Sequence, residues 1–289
     1  MRTAFPRRGM PRRGCKDSSG SFPHRLNRSP PGSGMALARD EPMHREPSVS
    51  LEDYRILVTG DTTGIGRATA LELATHGAKV LINGTDSQHP EAALESFADA
   101  GGKVEGVLAD LGTKEGVLEL FAAVDERLGG LDIAILNAGI AESGPLMDMS
   151  HDVCHDIVNV NLNGSISCSI EALKRMKGEG GQIILIGSMS AEECRKNSAT
   201  YVASKSGIRG FSKSLRKEVN PLGIRVSLIE PGKVGTDMQD ATPEGQEKAE
   251  QELAMLTSED IARSVMYVLT QPDRCDVVML QIRPRLQEI

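Results

Sequence analysis

Tryptophan is absent from this 289-residue chain, and aromatic residues of all kinds make up only 3% of it. The stacking platforms that hold unpaired nucleic-acid bases are therefore scarce, and any core must be aliphatic. No apolar run reaches the roughly 20 residues that span a bilayer. There is no CxxC pair; the five cysteines, at positions 15, 154, 168, 194 and 275, are odd in number and scattered. That pattern reads as free thiols in a reducing, cytoplasmic setting. A basic surplus is missing too. The net charge is −7, and it is uneven: ten Lys or Arg against four Asp or Glu in residues 1–50, then 23 against 36 in the rest. An acidic body argues against a nucleic-acid-binding domain.

What is present divides in two. Residues 1–50 are rich in Arg, Pro, Gly and Ser without apolar periodicity, and such a segment is expected to be disordered. It has no apolar stretch for a secretory signal, and Pro6, Pro11, Pro23, Pro30 and Pro31 interrupt the helix that a transit peptide needs. It reads as a dispensable extension, consistent with a translation start upstream of Met35 or Met43. Residues 51–289 are long enough for one α/β domain with a substantial core.

The most informative stretch runs from Gly187 to Lys205. Gln182-Ile-Ile-Leu-Ile-Gly187 is short, apolar and β-branched, a buried strand that delivers Ser188 at its carboxyl end. Tyr201 and Lys205 lie four apart in a helical context, so one turn puts the ammonium on the same face as the phenol. A free tyrosine, with a pKa of about 10, exchanges protons reluctantly at neutral pH. Lowering it by roughly three units takes about 4 kcal/mol. One ammonium about 4 Å away, at an effective dielectric near 20, supplies about that much. Lys205 is therefore expected to make the phenol more acidic, and an oxidised nicotinamide would add to the effect.

A second motif lies upstream. The strand Arg55–Thr59 runs into Thr59-Gly60-Asp61-Thr62-Thr63-Gly64-Ile65-Gly66 and then a helix expected over Arg67 to His76. The glycines allow a tight turn and bring backbone N–H groups close to a pyrophosphate at the helix N-terminus. Further strands are expected over Lys79–Asn83, Lys103–Ala109, Leu131–Leu136, Ile224–Ile229 and Asp276–Ile282. Seven strands alternating with helices mean a doubly wound parallel sheet with helices on both faces.

Taken together, Ser188, Tyr201-x-x-x-Lys205 and the TGxxxGIG loop resemble the short-chain dehydrogenase/reductase family, with a Rossmann-like fold, over residues 53–282. The resemblance implies a catalytic set of Asn161, Ser188, Tyr201 and Lys205. Tyr201 would exchange the proton and Ser188 would hold the substrate oxygen. Lys205 would grip the nicotinamide ribose, and Asn161, in Asn161-x-x-Gly164, would hold a water linked to the lysine. Asn and Gly each cost up to about 1 kcal/mol inside a helix, and a local cost of that kind invites a functional reason.

The cofactor contacts implied are Gly60, Thr62, Thr63, Gly64, Ile65, Gly66, Thr85, Asp110, Asn137, Ala138 and Gly139, besides Tyr201 and Lys205. Pro231, Gly232, Val234 and Thr236, in Glu230-Pro-Gly-Lys-Val-Gly-Thr-Asp-Met238, would wrap the nicotinamide. No acidic residue stands at the end of the second strand, where Gly84 and Thr85 fall. That favours NADP over NAD, although Asp61 and Asp86 oppose a phosphate.

Leu136 and Glu230 depart from the family's usual residues. Gln281-Ile-Arg-Pro-Arg-Leu-Gln287 resembles the close of its NADP-linked 3-hydroxy acid dehydrogenases. Residues 238–256 are polar and read as a mobile lid. His151, Cys154 and His155 share a helix face, but the family needs no metal, so none is expected. The reading is a hydride-transferring oxidoreductase for a small hydroxy acid, a 3-oxoacyl thioester or a polyol. It would be a homodimer or homotetramer without nucleic-acid or membrane partners. The alternative is a non-catalytic dinucleotide-binding sensor or scaffold.

Overall fold

The computed structural model describes residues 50–60, 63–85, 104–236, 238–239 and 241–287. The expectations for the N-terminal extension, and for Asp61, Thr62 and Asp86, lie outside the described residues.

Alternating apolar positions build the sheet. Seven parallel strands run β1 (Arg55–Thr59), β2 (Lys79–Gly84), β3 (Val104–Leu108), β4 (Ile133–Leu136), β5 (Gly181–Ile186), β6 (Ile224–Pro231) and β7 (Met279–Ile282), in the spatial order 3-2-1-4-5-6-7. In β1, Ile56 and Val58 face one core while Leu57 faces the other. The same alternation separates Ile184 and Ile186 from Ile183 and Leu185 in β5. A strand buried on both faces reads as a continuous apolar run, and helices must then cover both sides. On one side lie α1 (Gly64–Thr75) and α8 (Ser258–Leu269), through Leu73, Ile261 and Val265. On the other lie α2 (Lys114–Ala123), α4 (Ser165–Met176) and α6 (Ala199–Val219), through Phe121, Met176 and Ile208. This is the Rossmann-like, doubly wound architecture expected.

Strand order reverses between β1 and β4, where a crevice opens at the carboxyl ends. Register aligns those ends. Thr59 pairs with Leu136, Leu136 with Leu185, and Leu185 with Leu228. The loops after β1, β4, β5 and β6 therefore meet along one rim.

Two elements begin three residues away from the sequence expectation. The helix α1 begins at Gly64 rather than Arg67, because the last residues of the glycine loop are already helical. The strand β7 begins at Met279 rather than Asp276, where its pairing with β6 starts at Leu228; Asp276 lies outside it and accepts from Arg216 and Asn220, both at 3.0 Å. The stretch read as a lid contains α7 (Pro243–Gln251), whose first turn is capped by Thr242 accepting from Gly245 N–H at 3.2 Å.

Candidate active site

The glycine loop is held open by backbone contact. Gly60 has φ +77°, and a Cβ there would lie 2.2 Å from Ala138 Cα. Asn137 ties the β4 end to the same loop: its N–H donates to Thr59 Oγ1 at 3.1 Å and its Nδ2 to Gly60 O at 2.8 Å. Thr63 stands at the N-cap of α1 without a side-chain cap, and the first turn carries no acid. Among the described residues no side chain caps the N–H groups of that turn, which can receive an anion.

The helix that carries Asn161 is interrupted. Between α3 (His151–Val158) and α4 the chain makes a π-helical turn, Asn159–Gly164, as helices often do at functional sites. Gly164 lets the turn press against Leu111, whose carbonyl oxygen would sit 2.8 Å from a Cβ. Asn161 is fully buried. Its Oδ1 accepts from Ile140 N–H at 2.8 Å, and its Nδ2 donates to Ile140 O at 2.9 Å and Ser204 Oγ at 3.1 Å.

Ser188 leaves the end of β5 and accepts from Ser190 N–H at 3.1 Å. Tyr201 hydrogen-bonds it from α6. Lys205, one turn on, has its Nζ 3.1 Å from Ile186 O and 5.8 Å from the Tyr201 ring centroid. Gly139 abuts both partners: a Cβ there would lie 3.3 Å from Asn161 Oδ1 and 3.4 Å from Lys205 Nζ.

The protein's own charges do not acidify the phenol as expected. Burial raises the Tyr201 pKa above 10.0, and the Ser188 hydrogen bond only partly opposes it. Burial also drives the Lys205 ammonium down to about 8. Taking both groups out of water penalises their charged forms.

These residues surround a cleft of about 860 Å³. Gly60, Ile65, Thr85, Asp110, Asn137, Ala138 and Gly139 line it together with Ser188, Tyr201, Lys205, Pro231, Gly232, Val234 and Thr236. Asn161 stands behind the wall, and Thr63, Gly64 and Gly66 support it. A Cβ on Gly64 would lie 3.1 Å from Thr236 Cγ2, so the glycine loop and the Pro-Gly loop nearly touch. The cleft fits a dinucleotide. Among the described residues it has an uncapped helix start for phosphates, a Gly60 pressed directly against Ala138, and a buried Asn83 whose Oδ1 has no partner. Asn83, Glu193, Arg195 and Gln287 also line it and were not foreseen. Gln287 alone had a signal, in the C-terminal resemblance.

The family model for short chain dehydrogenases matches residues 54–247. An uncharacterized oxidoreductase of Staphylococcus saprophyticus is 33% identical over 82% of this chain and 99% of its own. A 3-oxoacyl-(acyl-carrier-protein) reductase of Pseudomonas aeruginosa is 35% identical over 70% of this chain and 82% of its own. A short chain dehydrogenase of Burkholderia cenocepacia, solved in complex with NADP, superposes with a TM-score of 0.72 at 32% identity, covering 81% of this chain and 98% of that one. The chain belongs to the short chain dehydrogenase family. It is an NAD(P)-dependent oxidoreductase acting on CH–OH groups.

Proposed function

We propose that residues 51–289 form a catalytic domain that interconverts a secondary alcohol and its carbonyl, with NADP preferred over NAD. Candidate substrates are a small hydroxy acid, a 3-oxoacyl thioester or a polyol. The observation that carries this reading is the meeting of Ser188, Tyr201 and Lys205 in the same cleft as Gly60 and Ile65 of the glycine loop.

When bound, the nicotinamide supplies or accepts the hydride. Ser188 Oγ holds the substrate oxygen, and Tyr201 Oη gives that oxygen its proton during reduction. A phenol kept neutral by burial is in the form that can donate. Lys205, held by Ile186 O, stands behind the phenol to restore its proton and would hold the ribose. Asn161 connects this relay by fixing Ile140 and Ser204 beside it. β2 ends in Gly84 and then Thr85 rather than in an acid, which favours NADP although Asp86 follows, and the Burkholderia relative bound NADP. Among the described residues no helix is long and apolar enough to cross a membrane; a cytoplasmic homodimer or homotetramer remains part of this reading.

The test is NADPH oxidation across a panel of carbonyl compounds, repeated with NADH. Tyr201→Phe should cut turnover by about 10²- to 10⁴-fold, the usual contribution of a positioned acid, while still binding NADPH. Unchanged turnover in that variant would sink the assignment.

A further inference from the structure

The cleft carries its charges in layers. Glu193 closes α5 (Ser190–Glu193), the short helix just after Ser188, and its side chain is only 6% exposed. Both carboxylate oxygens are taken. Oε1 accepts from Gln287 Nε2 at 2.6 Å, and Oε2 pairs with Arg195 Nε. Gln287 is fixed in turn, because its Oε1 accepts from Lys233 N–H at 2.9 Å. Gly232 leaves the space for it: a Cβ there would lie 2.3 Å from that Oε1. Both oxygens of the acid are thus engaged, while the Arg195 side chain beside it is 56% exposed and lines the cleft with Ser188, Ser190, Ser198 and Tyr201. Neither terminal nitrogen of the guanidinium has a partner among the described residues. Lys233, also exposed, lines the same cleft.

We infer that Arg195, aimed by Glu193 and Gln287, is a specificity-determining residue that receives a carboxylate on the substrate. The inference rests on the oxidoreductase reading of this cleft and narrows its substrate class. A guanidinium held at Nε presents its two terminal nitrogens as a planar fork, the geometry that meets a carboxylate with two hydrogen bonds. Glu193 cancels the formal charge of Arg195 but takes only the Nε edge, so the fork keeps its donors. Lys233 adds a further cation to a lining that also holds Asp110 and Asp156. The serine hydroxyls around it suit a small polar molecule better than a long acyl chain.

The experiment separates binding from turnover. Butyrate and butyramide, similar in shape and not reducible, are titrated into NADPH-loaded wild-type protein, Arg195→Met and Gln287→Ala by calorimetry. Wild type should bind butyrate at least tenfold more tightly than butyramide. Arg195→Met should erase that preference and Gln287→Ala should weaken it, with NADPH affinity held within twofold in both. In turnover, the kcat/KM ratio of acetoacetate to methyl acetoacetate should fall about tenfold in Arg195→Met. Equal binding of the two ligands by wild type overturns the inference. So does an NADPH affinity that drops as far as the butyrate affinity, since Arg195 would then serve the cofactor. Selective butyrate binding without NADPH oxidation by either keto compound would support the anion site and count against the oxidoreductase reading alone.

Discussion

Arg209 grips Glu230 with two prongs, Nε to Oε1 at 2.7 Å and Nη2 to Oε2 at 2.8 Å. Glu230 is fully buried at the end of β6, immediately before the Pro231-Gly232 loop. Arg209 lies on α6 one turn beyond Lys205 and two beyond Tyr201. The same guanidinium reaches Glu192 in α5 at 2.6 Å, and Gln281 of β7 donates to Glu230 at 2.9 Å. Gly187 makes room for this acid, since a Cβ there would lie 3.0 Å from Glu230 Cγ. One cluster therefore fixes the helix of Tyr201 against the loops that follow β5 and β6.

Removing one member of a buried pair strands the other. Arg209→Met, which leaves the Glu230 carboxylate without its cation, should cost about 3–5 kcal/mol of stability. Replacing both by Met and Gln should recover much of that loss. Urea midpoints of the two variants decide this, and equal losses in the single and double variants would rule the pairing out.

Much of this arrangement was legible, because its signals are local. Short continuous runs of apolar, β-branched residues marked the strands, a four-residue spacing paired Tyr201 with Lys205, and Asn161 and Gly164 marked a helix with a local cost. The partners of Glu230 were not legible. Its departure from the family residue could be seen, but the compensating Arg209 is 21 positions away and looks like any helix-surface arginine. Gln287 is more remote still, 94 residues from the Glu193 it holds. The sign of the Tyr201 shift was also hidden, since spacing reveals a nearby ammonium but not how deeply both groups are buried.

The cradle at Gly60 should tolerate no side chain. Gly60→Ala combines φ +77° with a clash against Ala138 backbone. Neither can relax through a flexible neighbour, so the loss should exceed about 2 kcal/mol. NADPH affinity should fall at least tenfold in calorimetry. Gly144→Ala, with nothing within 4 Å, should stay within about 0.5 kcal/mol of wild type.

Burial of Tyr201 gives the two reaction directions opposite pH responses. Reduction needs the neutral phenol, and a pKa raised above 10.0 keeps it neutral across the physiological range. Alcohol oxidation needs the phenolate, so its rate should still be climbing at pH 10. Initial rates in both directions from pH 6 to 10.5 test this. An oxidation rate that levels off near pH 7 would mean that the bound state reverses the shift.

Lys205 should leave its mark on stability rather than on rate alone. Its pKa falls from 10.5 in the unfolded chain to about 8 in the fold, where burial penalises the ammonium. Between those values the unfolded chain holds a proton that the folded chain has released, so rising pH favours the fold. Below pH 8 both states are protonated and the whole penalty, about 3 kcal/mol, weighs on the native protein. Cys168 works in the other direction: burial raises its thiol from 9.0 to about 12, so its contribution is lost as pH rises through that range. Comparison with Lys205→Met removes the Cys168 effect, because both proteins contain that residue. The Met variant should gain on wild type at pH 7.5, less the lost hydrogen bond to Ile186 O. That advantage should shrink by up to about 3 kcal/mol as the pH reaches 10.5. Urea unfolding of the two proteins across this window measures the difference, and a flat difference would mean the folded chain keeps Lys205 charged at its ordinary pKa.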